Sequence, residues 1–334
     1  MDFATHRSLF VALAALLIGF SSCKDDAQTN DPNQSVVLTG PTTFVQTGLL
    51  RLPQGIAVDA SGNVWIAHTR NNRIRKFSTS GTQIDSVNVT SPSAIAVDKT
   101  TGDLFIVENS STVLRYVVQT KTWLAAYPFV PFIGNSSSVF DVGNRGTVSI
   151  NVTVLELGDI DTSPSGDIYV SGRGSPANFV ARILHGNISI VAASFLDSSI
   201  ARPSMLAADG FGTVFTAFRF SRGPTSQTEL YAFVPSNIQQ SHVMAEPFIS
   251  GGTQGATVDA AGYLYIADAG TQELVMVSTA SERTVARHLI PDVGGFSMTP
   301  RDISVASDGS VYVVVTDRLG SEAGAVLKYT RSTR

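Results

Sequence analysis

Beyond residue 35, the apolar positions of this chain fall in short runs broken by small, acidic and glycine residues. No stretch there sustains the three-to-four-residue period of an amphipathic helix. One unit returns six times: an apolar run, a turn ending in glycine, and a second, more strongly apolar run. It first reads Ile56-Ala57-Val58-Asp59 before Gly62 and Val64-Trp65-Ile66-Ala67 after it. Equivalent runs flank Gly102 (95–98 and 104–107), Gly166 (160–162 and 168–170), Gly212 (206–209 and 214–216), Gly262 (258–259 and 264–267) and Gly309 (303–305 and 311–313). An Asp- or Ser-led turn closing on glycine between two β-rich runs predicts a hairpin, because glycine adopts positive φ at little cost.

These glycines are 40, 64, 46, 50 and 47 residues apart, a spacing that signals a propeller or a solenoid. Each hairpin is followed by a third apolar run, as in Ile74-Arg75-Lys76-Phe77, Val113-Leu114-Arg115-Tyr116 and Leu274-Val275-Met276-Val277. About four strands per unit, repeated radially, describe propeller blades, so the fold class predicted is all-β, a six-bladed β-propeller. The sixth unit has its third run at Ala325-Val326-Leu327-Lys328-Tyr329 and little chain after it, whereas residues 36–46 precede the first unit. An N-terminal strand closing the last blade would join the two ends and leave no open sheet edge. The 64-residue interval predicts an insertion at about 119–158 containing Trp123, Tyr127, Phe129, Phe132 and Phe140. These rings could form a platform for stacking a sugar or peptide. Alternatively 123–129 is the outer strand of blade two, with the rings packed between blades, and the large area that aromatics bury favours this second reading.

The Pro-Gln-Gly that opens the first unit, its hairpin, and the Asn71-Asn72-Arg73 that follows resemble the NHL repeat. The other units keep the hairpin and lack the Asn-Asn-Arg. The resemblance covers roughly residues 36–334 and implies a propeller that acts through binding. That chain-wide family likeness is an association of fold, not of chemistry.

The N-terminus has a different pattern. His6 and Arg7 precede an apolar run from Leu9 to Phe20, too short for a membrane-spanning helix and suited to the core of a signal peptide. The run ends in Phe20-Ser21-Ser22-Cys23, which resembles the lipobox of bacterial lipoproteins, with Phe20 where that family usually has leucine. The resemblance implies a signal peptide over 1–22, lipidation of Cys23, and membrane attachment through the acyl chains. Lys24-Asp25-Asp26 resembles an export signal for the outer face of the outer membrane, so the location expected is an outer-membrane lipoprotein displayed at the cell surface. Residues 23–35 then read as the lipidated cysteine and a flexible tether, since Asp, Asn, Gln, Thr and Pro bury no apolar area. The propeller occupies 36–334.

Composition narrows the function further. Charged residues are 15% of the chain and the formal net charge is −4, so no basic footprint points to nucleic acid. Cys23 is the single cysteine, which excludes an intramolecular disulfide and a thiolate metal cage within one chain. The five histidines show no zinc-site spacing, and neither a Gly-x-Ser-x-Gly elbow nor a Walker loop is present. Asp59, Asp98, Asp209 and Asp259 recur in the hairpins and are read as turn-capping residues.

Propeller ligands bind where the loops leading into the first strand and out of the second converge. Positions aligned with Gln54 are Ser93, Gly158, Ser204, Gln254 and Arg301, and those aligned with His68 include Glu108 and Asp268. The rim expected to line a site is Gln54, His68, Arg70, Glu108, Arg173, Gln254, Asp268 and Arg301. Lactonases of the gluconolactonase/regucalcin type are distant relatives by resemblance, and they hold calcium with Glu, Asn and Asp at such positions. Here only Asp159 and Asp302 lie nearby, so Ca2+, with Asp159 and Asp268 as its ligands, belongs to a second reading. His68, Glu108 and Asp268 could also meet as an acid/base site, although three unrelated loop residues would look the same. The first reading is a lipid-anchored binding or scaffolding module for a protein, peptide or glycan partner. The second is a metal-dependent lactonase-like hydrolase or a propeller-type lyase.

Overall fold

The computed structural model describes residues 36–129, 133–142, 146–194, 205–222, 225–244, 249 and 252–333. The expected signal segment, Cys23, the tether, Phe132 and Ser204 lie outside the described residues. The first described element is β1 (Val36–Arg51), and blade one follows from β2 (Pro53–Val58), β3 (Val64–His68), β4 (Arg73–Phe77) and β5 (Gln83–Asn88). Blade two is β6 (Pro92–Val97), β7 (Leu104–Glu108), β8 (Thr112–Val117) and β9 (Thr122–Pro128). Next come β10 (Ile133–Asp141) and β11 (Gly146–Thr162), which lead into β12 (Ile168–Ser175), β13 (Asn178–Leu184) and β14 (Asn187–Ser194) of blade three. Blade four is β15 (Leu206–Ala208), β16 (Val214–Arg222), β17 (Thr225–Phe233) and β18 (His242–Val243). Blade five is β19 (Thr253–Val258), β20 (Tyr263–Asp268), β21 (Glu273–Ser278) and β22 (Arg283–Leu289). Blade six takes β23 (Met298–Val305), β24 (Val311–Asp317) and β25 (Ala323–Thr333), and β1 is its outermost strand.

The fold is therefore an all-β, six-bladed propeller closed through its N-terminal strand, as the repeat pattern requires. β1 pairs antiparallel with β25 from Val36↔Thr333 to Arg51↔Ala323 and buries Leu38, Val45 and Leu50. The apolar core is distributed accordingly: six clusters each join two consecutive blades. The one between blades one and two is typical, packing Trp65 and Ile74 against Ile95, Leu104 and Tyr116.

Most inner strands are irregular near their start, with register breaks between Pro53 and Ile56, Pro92 and Ala94, Leu157 and Ile160, Thr253 and Gly255, and Pro300 and Asp302. Such bulges re-aim side chains and let strands converge. Gly255 serves that convergence directly, since a Cβ there would fall 2.0 Å from Asp302 Oδ1.

Blade three departs from the common plan. β10 pairs with the first half of the long β11, and its Phe140 and Asp141 pair in parallel with Ala192 and Ala193 of β14, so this sheet closes on itself. Of the aromatics between 119 and 158, Trp123 and Tyr127 stand in the outer strand of blade two, while Phe129 and Phe140 are buried.

Candidate functional site

The hairpin aspartates cap their own turns, and Asp259 also receives the Arg331 guanidinium of blade six. Asp59 Oδ1 accepts the N–H groups of Ser61 and Asn63, and Asp209 and Asp259 repeat the pattern with Phe211 and Thr213 and with Ala261 and Tyr263. Asp98 accepts from Thr100 and Thr101, and in blade three the Ser163 hydroxyl accepts from Asp167. These oxygens satisfy turn amides that the ladder leaves unpaired.

At the centre, inner strands of different blades are tied by side chains. Asp302 Oδ2 accepts the Ile56 N–H of blade one at 2.8 Å, and its Oδ1 accepts Ile303 N–H. Asp159 does the same from blade three to Leu206 N–H of blade four and to Ile160 N–H. Two residues on, Ser304 and Asp161 reach Val58 N–H and Ala208 N–H. Blades three and six, three steps apart around the ring, thus carry equivalent staples. Asp159, Asp161 and Asp302 line a channel whose cavity is about 40 Å³, room for roughly one or two waters. Burial, and then the charge of Asp161, push Asp302 up to about 8. Burial and the charge of Asp302 likewise raise Asp159.

The rim residues named from the sequence are dispersed among separate contacts. His68 is fully buried, and its Nε2 accepts the Arg51 N–H at 2.6 Å. Burial, aided by Arg75, Arg73 and Arg51, depresses its pKa to about 4. Its ring is therefore neutral at pH 7 with the Nε2 lone pair already engaged, a poor arrangement for a general base. Glu108 Oε1 accepts Thr90 N–H, and Asp268 Oδ1 accepts Gly270 N–H. Arg70 meets Arg51 on the carboxylate of Glu322, at 3.0 and 2.9 Å. Arg173 lies 3.4 Å from Glu156, Gln254 Nε2 donates to Gly252 O, and Arg301 Nε donates to Thr316 Oγ1. Burial lowers the Arg301 pKa. Gln54 is half-buried in β2. Among the described residues, no three His, Cys, Asp or Glu side chains gather as metal ligands.

One rim residue, Glu108, instead lines a groove between blades one and two. Its walls are Asn71, Asn72, Asn88, Val89, Thr90, Glu108, Leu114 and Trp123, around a volume of about 520 Å³. Three bonds fix the connection from β5 to β6 that forms one wall: Val89 N–H to Asn72 O, Ser91 N–H to Asn72 Oδ1, and Thr90 N–H to Glu108 Oε1. Asn72 can make the first two because it closes a short 3-10 turn in the left-handed region, at φ 50°. Trp123 is 47% exposed and leans on Tyr116, ring centroids 4.9 Å apart. The sequence reading held both halves of this site, the Asn71-Asn72-Arg73 motif and Trp123, without the packing that brings them together.

The site and fold define a closed propeller with a narrow axial channel and a lateral groove. Residues 23–110 match the family model described as the SMP-30/gluconolactonase/LRE-like region, a segment that includes the first-blade hairpin and the inner hairpin of blade two. No curated protein matches the chain. Among solved structures, a gluconolactonase from Xanthomonas campestris is 13% identical over 86% of this chain and 88% of its own, with a TM-score of 0.59. Regucalcin from Agrobacterium tumefaciens, a calcium-binding protein, is 15% identical over 87% and 93%, TM-score 0.56. A streptogramin B lyase is 12% identical over 89% and 98%, TM-score 0.57. At these identities the likeness is one of fold.

Proposed function

We propose that the protein is a lipid-anchored binding module of the cell envelope, held at the outer membrane through Cys23, whose ligand site is the groove between blades one and two. The contrast between the two cavities carries this reading. The groove, at about 520 Å³, falls within the usual range of roughly 300–1,000 Å³ for ligand pockets, whereas the axial cavity is about 40 Å³. The groove residues also keep polar groups for a ligand, while the channel carboxylates spend both oxygens on backbone N–H groups. Incorporation of labelled palmitate by the wild type and its loss in Cys23→Ser tests the anchor. Envelope material retained by the immobilised protein, and lost with Trp123→Ala, tests the groove.

The family-model match over 23–110 favours a second reading, a calcium-dependent lactonase-like hydrolase. Calcium is a hard cation that takes several oxygen ligands. The channel aspartates supply oxygens of that kind, but they are committed to staples. Hydrolysis of glucono-δ-lactone that depends on added calcium and vanishes with Asp159→Asn would replace the binding account with this one. Absence of turnover and of any calcium-induced thermal shift would leave the groove as the site.

A further inference from the structure

We infer that the groove between blades one and two takes a neutral saccharide chain, with Trp123 as its stacking platform. The inference rests on the groove being the ligand site and adds the chemistry of its occupant. Five of the eight wall residues are polar, namely Asn71, Asn72, Asn88, Thr90 and Glu108. Each asparagine amide both donates and accepts, as does each sugar hydroxyl, so neighbouring hydroxyls can be read in pairs. Asn72 spends its Oδ1 on Ser91 N–H and keeps its Nδ2. Glu108 spends Oε1 on Thr90 N–H and keeps Oε2. No protein partner occupies the side-chain amides of Asn71 and Asn88 or the Trp123 indole N–H among the described residues.

Two features exclude other ligand classes. No cation is among the wall residues, whose single charge is the Glu108 carboxylate, and the neighbouring Lys121 is held by Asp85 at 2.8 Å. The lining itself therefore repels an anionic ligand, with the exposed Arg73 opposite Asn88 standing outside it. Only Val89, Leu114 and Trp123 are apolar, too few for the alternating side-chain pockets by which an extended peptide is usually gripped. What remains is a hydroxyl-rich molecule with an apolar face, and a sugar ring presents such a face of C–H groups to the electron-rich face of an indole. The polar loop walls are held in place by backbone bonds before any ligand arrives, which limits the ordering cost of binding.

The test uses the protein's own fluorescence. Of its two tryptophans, Trp65 is 1% exposed and Trp123 47%, so acrylamide quenching reports on Trp123. The full chain is titrated with neutral oligosaccharides (β-glucan, chitin, mannan and galactan fragments), with neutral tetrapeptides, and with polyanionic alginate and heparin. At least one neutral saccharide is expected to protect Trp123 from quenching. By calorimetry, its affinity falls more than about tenfold in Trp123→Ala and by less in Trp123→Phe. Asn88→Ala, which removes no protein hydrogen bond, weakens binding while leaving the melting temperature unchanged. Protection by peptides or polyanions alone overturns the saccharide assignment and leaves the groove as the ligand site. Saccharide binding that persists undiminished in Trp123→Ala overturns the groove itself. Failure of every saccharide to bind overturns the inference.

Discussion

At the scale of single residues, close approach and hydrogen-bond bookkeeping separate positions that look alike in the chain. Gly255 and Gly212 are both glycines near hairpins, yet only Gly255 faces another blade's carboxylate at contact distance. Gly255→Ala forces Asp302 off its bonds to Ile56 and Ile303, and should cost about 1–3 kcal/mol in urea unfolding. Asp209 is different. It caps one turn through Phe211 and Thr213, so Asp209→Ala should cost about 1 kcal/mol and leave ligand affinity untouched. A loss of binding in that variant would show the turn aspartates to be more than caps.

At the scale of elements, the closing strand offers a matched pair of neighbours. Leu50 is fully buried between blades six and one, while Leu49 is 53% exposed on the same strand. Leu50→Ala should destabilise by about 2–5 kcal/mol through the cavity it leaves, and Leu49→Ala by about 0.5 kcal/mol or less. Chemical denaturation of the two variants side by side checks this. Equal effects would mean that β1 does not seal the ring as described. The closing strand itself was readable in the residues before the first hairpin. Its long register, with three irregularities along β25, was not, because bulges answer to the twist of the partner strand.

At the scale of the whole molecule, two buried titrating groups set opposite pH trends. Asp302 has its pKa raised from the ordinary 3.8 to about 8 by burial, so the folded state holds a proton that the unfolded chain releases. Its contribution is complete below pH 4 and is lost as pH rises through about 8, and the raised Asp159 acts in the same sense. His68, depressed from 6.5 to about 4, contributes above 6.5 and loses that contribution as pH falls toward 4. Between about 4 and 6.5 the trends oppose; above 6.5 the aspartates and His242, whose pKa is raised by the Gln240 carbonyl and Glu282, act in the same sense. Stability measured by urea unfolding should therefore decline from pH 6.5 to 8, and Asp302→Asn should flatten that decline. An unchanged slope in the variant would place the titrating group elsewhere.

The sequence by itself determined the repeat, the hairpins, the number of blades and the strand that closes them, because alternation of side chains and the needs of glycine turns are local properties. It also marked the turn aspartates as structural, since each serves amides within a few residues of itself. The fate of the rim was decided only by tertiary packing. His68 and Glu108 end equivalent strands, yet one is sealed behind Arg51 and the other opens on a groove. Asp159 and Asp302 resemble metal ligands in the chain, and become staples once the next blade brings an amide within 2.8 Å. Trp123 and Asn71 lie on different blades, and the space between them exists only where two twisted sheets diverge from a shared core.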